Sequence, residues 1–111
     1  MEIRVEELEP GVVQISLGGR FDAEGGAEIR SQFMGALDPP DRLAIVEMSG
    51  VDLLASSGIR LLLAGAKTMK AGGGKLVIAA AQSQVEYPIT VSGVDTVVPL
   101  YKSVDMALNA M

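Results

Sequence analysis

A chain of 111 residues, 49 % apolar and 21 % charged, has the length of one compact domain and too much apolar content to stay disordered. Its 9 basic and 14 acidic side chains leave a net charge of −5, which argues against a general nucleic-acid binder, since that function needs a basic face. Cysteine and histidine are both absent, so disulfides, thiolate catalysis, cysteine-bound zinc and the commonest general base are excluded.

The opening Met1-Glu2-Ile3-Arg4-Val5-Glu6-Glu7 is acidic where a secretory signal would be basic. No apolar run approaches the ~20 residues that span a bilayer; residues 59–66 are interrupted by Arg60 and Gly65. A cytoplasmic protein with no direct membrane insertion is the expectation.

Residues 2–8 alternate, with Ile3 and Val5 against Glu2, Arg4 and Glu6. After a Pro10-Gly11 turn, residues 12–17 alternate again, Val13, Ile15 and Leu17 sharing a face. Two such runs about a turn predict an antiparallel hairpin, ended by Gly18-Gly19. From Asp22, a natural N-cap, the period lengthens: Ile29, Phe33, Ala36 and Leu37 mark a helix, with Gly25 and Gly26 as weak spots in its first turns. Asp38-Pro39-Pro40-Asp41 stops it.

Leu43-Ala44-Ile45-Val46 is a continuous apolar run and predicts a strand buried on both faces, ending at Met48 before a Ser49-Gly50 turn. A second helix, capped by Ser56 or Ser57, extends to about residue 70 and stops at Gly72-Gly73-Gly74. Residues 76–80 form another buried strand, 85–90 a short helix with Pro88 in its first turn, and 97–101 a Pro-weakened edge strand. Ser103 caps a terminal helix. Strand–helix alternation requires parallel strands joined by right-handed crossovers, so the fold class is α/β: one domain over residues 1–111, with a mixed, mostly parallel sheet, an N-terminal hairpin and about four helices.

The chemistry concentrates in residues 43–63. Ser56-Ser57-Gly58 opens a helix beyond the carboxyl end of a strand, where α/β folds place ligand sites. Free N–H groups and the positive end of the helix dipole favour an anion there. The plainer interpretation is that one serine caps the helix, leaving the other hydroxyl free to face solvent.

The stretch resembles the signature of the STAS domain family, which includes anti-sigma factor antagonists and cytoplasmic domains of sulfate transporters. The matching residues are Glu47-Met48-Ser49-Gly50-Val51, Ala55-Ser56-Ser57-Gly58-Ile59-Arg60, Gly19-Arg20-Phe21-Asp22, Gly73-Gly74-Lys75-Leu76-Val77-Ile78, Ser92-Gly93-Val94-Asp95 and the start of the terminal helix at Ser103. In order, they cover essentially the whole chain. The resemblance implies a STAS fold and a non-catalytic anti-sigma factor antagonist without cofactor or metal. It implies an anti-sigma factor that is also a Ser/Thr kinase as partner, and a phosphatase beside it. Ser57 would be the phosphoacceptor, Ser56 the second candidate, and Asp22 an acid near the phosphosite.

Two positions depart from the family pattern: Ala55 stands where the family has an acid before the serines, and Glu47 where it has Asp, although Asp52 and Glu47 still supply carboxylates. In the second helix Ile59, Leu62, Leu63, Ala66 and Met69 form the stripe expected to face the sheet. Leu61, about 200° from Leu63 at about 100° per residue, is expected on an exposed flank. The partner face is therefore expected to comprise Asp22, Ser56, Ser57, Gly58, Arg60 and Leu61. A different binding module, a STAS subunit docking on a transporter ATPase or permease without phosphorylation, is the alternative, mildly favoured by Ala55. A serine hydrolase is disfavoured by the absence of histidine and of a G-x-S-x-G elbow.

Overall fold

The computed structural model describes residues 1–110. Strands β1 (Glu2–Glu9) and β2 (Val12–Phe21) form the antiparallel hairpin. They are followed by α1 (Ala23–Ala36), β3 (Leu43–Leu54), α2 (Ser56–Ala71), β4 (Lys75–Ala79), α3 (Ser83–Val91), a 3-10 turn (Val94–Thr96), β5 (Leu100–Tyr101) and α4 (Val104–Asn109). The sheet order is β1-β2-β3-β4-β5, parallel from β2 onward. Each parallel strand is laid down beside the last in one direction, so right-handed crossovers stack α1, α2 and α3 on a single face. The fold class expected from the sequence is the one observed.

Alternation assigns the two faces. Ala44, Val46 and Met48 of β3, with Leu76 and Ile78 of β4, join Val13, Ile15, Leu17, Ile29, Phe33 and Leu62 in the main core. Ile45, Val77 and Ala79 point the other way and are covered by Ala107, Val104 and Leu108 of α4. Hence residues 43–46 of β3 and 76–79 of β4 are unbroken apolar runs, while β2, only half-covered on its outer face, alternates. The Ser103 hydroxyl accepts from the Met106 amide at 3.1 Å, the expected cap of α4.

Four expectations need correction. Gly18-Gly19 does not end β2, which continues through two register shifts to Phe21. Likewise Ser49-Gly50 is no turn: β3 runs twelve residues to Leu54, and Gly50 pairs with Gly18. In both places glycine marks an irregularity that bends a strand without terminating it. Pro88 lies in the middle of α3, not its first turn. The last strand contracts to Leu100–Tyr101 because residues 94–96 wind into the 3-10 turn, although the Pro99 carbonyl still accepts from the Ile78 amide at 2.9 Å.

The extensions position the site. Beyond the helix layer, the end of β2 and the end of β3 stay paired, Arg20 with Leu53 and Phe21 with Leu54. The Ala55 amide then donates to the Phe21 carbonyl at 3.0 Å. One junction thus fixes the starts of α1 and α2 side by side.

Candidate functional site

Asp22 caps α1: its Oδ1 accepts from the Gly25 amide at 2.9 Å. That hydrogen bond, more than the neighbouring Arg20 guanidinium, holds the Asp22 carboxyl below its ordinary range, against the opposing effect of desolvation. Arg20 Nε lies 3.5 Å from Asp22 Oδ2 in an exposed pair. The acid serves the helix start, and its other oxygen faces the arginine.

The serines do not cap α2, contrary to expectation. Ala55 takes the N-cap position with extended backbone and offers no side-chain acceptor, while Ser56 and Ser57 are the first two helical residues. The reason lies in the junction, since the bond from the Ala55 amide to Phe21 fixes where the helix begins. Ser56 is exposed and Ser57 half-buried. The first turn of α2 carries no acid, and its leading N–H groups have no intrahelical acceptor.

Ser57 lines a groove of about 460 Å³ between α1 and α2. Its α1 wall is Ala23, Gly26, Ala27 and Arg30; Arg60, Leu61 and Ala64 continue the α2 wall. The α1 wall was not foreseen, although its spacing of three and four is legible once Gly26 is counted as a surface and not as a weakness. Two arginines, Arg30 and Arg60, therefore line the same groove as Ser57 on a chain whose net charge is −5.

Gly58 and Leu61 contribute differently from what was expected. Gly58 is buried, and a Cβ there would stand 2.6 Å from the Phe21 carbonyl oxygen and 2.8 Å from Leu54 Cδ1. It seats the helix on the junction and presents no surface to a partner. Leu61 is 3 % exposed, whereas Leu63 is only partly buried. The buried stripe is Gly58, Leu61, Leu62, Gly65, Ala66 and Met69. The axis of this stripe is turned by about 65° from that of the expected one, at about 100° per residue. Leu61 consequently forms the floor of the groove and is no exposed anchor.

Ser57 and Arg60 remain on the groove, Ser56 is exposed and not among its lining residues, and Asp22 lies at the neighbouring helix start. Glu47 does not join them. Its neighbours Val46 and Met48 face the helices, so it points across the sheet, where its Oε1 accepts from the Ser49 amide at 2.8 Å. Asp52 is exposed on β3. The glycines of residues 72–74 bring the α2–β4 turn against Pro40 and the Arg42 carbonyl, a packing device and not a phosphate cradle. No helix among the described residues is long and apolar enough to cross a membrane.

A family model described as "Mlab, STAS domain" matches residues 5–100. The chain is similar to a putative anti-sigma factor antagonist, BtrV, of Bordetella bronchiseptica, with 21 % identity over 99 % of this chain and 94 % of the relative. Among solved structures, an anti-sigma-factor antagonist (STAS) domain protein from Planctomyces limnophilus shares 28 % identity at a TM-score of 0.86, over 97 % of this chain and 96 % of that one. An anti-sigma factor antagonist from Mycobacterium paratuberculosis shares 28 % at 0.83, over 98 % and 92 %. With a family match across most of its length on the fold and junction described above, the chain belongs to the STAS domain family.

Proposed function

We propose that this chain is a non-catalytic regulatory protein, an anti-sigma factor antagonist that binds an anti-sigma factor with Ser/Thr kinase activity and is switched off by phosphorylation of Ser57. The observation that carries this reading is the place of Ser57 at the start of α2, in a groove bordered by Arg30 and Arg60. The similar antagonists from three bacteria support it.

The mechanism is one of local charge. Unmodified, the groove presents two guanidiniums and a neutral hydroxyl, a surface suited to an acidic partner rim. A phosphate on Ser57 adds about −1.5 to −2 charges. That is enough to neutralise both arginines and to draw them inward, with the free N–H groups of α2 favouring the anion. The partner then loses its counter-charge and meets a phosphate it must desolvate, so it dissociates. The anti-sigma factor is freed to hold its sigma factor again.

Ala55 favours a second reading. With no acid ahead of the serines, nothing at that position orients a hydroxyl, and a STAS subunit docked without phosphorylation on a transporter ATPase or permease would need none. Incubation with ATP and a kinase that binds the chain, followed by intact-mass and fragment-ion spectrometry, separates the two. One phosphate on Ser57, absent from Ser57→Ala, is expected. Phosphate on Ser56 would overturn the Ser57 assignment, and none from a kinase that forms a stable complex would leave only the docking reading.

A further inference from the structure

On the opposite shoulder of α2 from Ser57 lies a second hollow, of about 580 Å³, well within the range of small-molecule sites. Leu63, Ala66, Leu76 and Val97 form its apolar wall, and Lys67, Lys70 and Lys75 its cationic rim. Val97 is 61 % exposed, an uncovered hydrophobe at the mouth.

Three of the four lysines in a chain of net charge −5 converge here, and no carboxylate is among the lining residues. The α2 dipole accounts for Lys70, in the last turn. It does not account for Lys75, which opens β4 and comes from a different element. The Thr96 hydroxyl is already committed to the Gly93 carbonyl at 2.7 Å, so an anion here would rest on the ammonium groups alone. Lysines on flexible stems make point-charge contacts and can lay their methylenes along an apolar body. That combination suits a single anionic head on an apolar chain better than a free phosphate.

We propose that this hollow binds a small amphipathic carboxylate, an acyl chain seated on Leu63, Leu76 and Val97 with its carboxylate among Lys67, Lys70 and Lys75. The site is independent of the Ser57 groove and of the function proposed there.

The test is titration of the full chain with decanoate below its micellar range, followed by calorimetry and by backbone amide NMR shifts. Decanol, inorganic phosphate and phosphatidylglycerol vesicles serve as comparison probes. Saturable decanoate binding with shifts at Leu63, Lys67 and Val97 is expected, with decanol at least about tenfold weaker. Lys67→Glu/Lys70→Glu should weaken decanoate about tenfold, and Val97→Asp should weaken it too. These residues are all exposed, so the variants test binding and not folding. The proposal is overturned by any of four results: no saturable binding, equal affinity for decanol or phosphate, shifts confined to the α1–α2 groove, or lysine-dependent binding to vesicles alone.

Discussion

Leu61→Ala should cost about 2–5 kcal/mol of folding stability, the range for truncating a buried leucine, and Leu63→Ala only about 1 kcal/mol, as befits a side chain that keeps part of its surface in water. Leu61 is 3 % exposed at the floor of the α1–α2 groove, opposite Ala23, Gly26 and Ala27. Those neighbours are too short to fill the space left by three lost carbon atoms, so a cavity would persist. Leu63 borders the open hollow on the other shoulder of the helix, where solvent can occupy the vacated volume. Urea denaturation of both variants measures the difference. Equal losses would mean that α2 is rotated from the orientation described, with its stripe centred between the two leucines.

Gly58→Ala should cost about 2–3 kcal/mol, as overpacking against a fixed backbone does, while Gly65→Ala should stay within about 1 kcal/mol of the parent chain. The difference lies in what each new methyl meets. At Gly58 the obstacle at 2.6 Å is the Phe21 carbonyl oxygen, already engaged by the Ala55 amide. Relieving the clash would pull α2 off the end of β2. At Gly65 the neighbours are the far ends of Phe33, Leu37 and Leu76, at 3.0–3.1 Å. These can yield a few tenths of an ångström, and alanine's helix preference of about 1 kcal/mol offsets their strain. Thermal melts of the pair are decisive, and a Gly58→Ala melt matching the parent would show that the junction is looser than its distances imply.

Much of this architecture is legible in local residue patterns because they agree with the tertiary fold. The hairpin alternation of Val13, Ile15 and Leu17, the doubly buried β3 and β4, and the caps at Asp22 and Ser103 all need nothing beyond neighbouring residues. What escapes is whatever depends on glycine meeting a distant backbone. Gly18-Gly19 and Ser49-Gly50 read as chain breaks, yet the strands run on through them, Gly18 pairing with Gly50 and Gly19 with Val51. Gly58 and Gly65 read as blanks in a hydrophobic stripe, and counting them turns its axis by only about 25°; the rest of the rotation that buries Leu61 is set by how α2 seats on the sheet and on α1. The serine motif itself was found, but not its setting: whether a serine caps α2 depends on Ala55 meeting Phe21, a contact between β2 and a residue thirty-four positions later. Arg30 and the small-residue wall of α1 became part of the site for the same reason, since only the junction brings the two helix starts together.

In the proposed switch, charge at Ser57 governs partner binding without disturbing the fold. Its most direct measurement is titration of an anti-sigma factor partner with the parent chain, Ser57→Ala and Ser57→Asp, each also followed through thermal unfolding. An anion in the first turn of a helix is favoured by about 0.3–1 kcal/mol, so Ser57→Asp should melt close to the parent. Its affinity should nevertheless fall by about tenfold or more, while Ser57→Ala binds within a few-fold of the parent. A folded Ser57→Asp that binds as tightly as the parent would contradict the account.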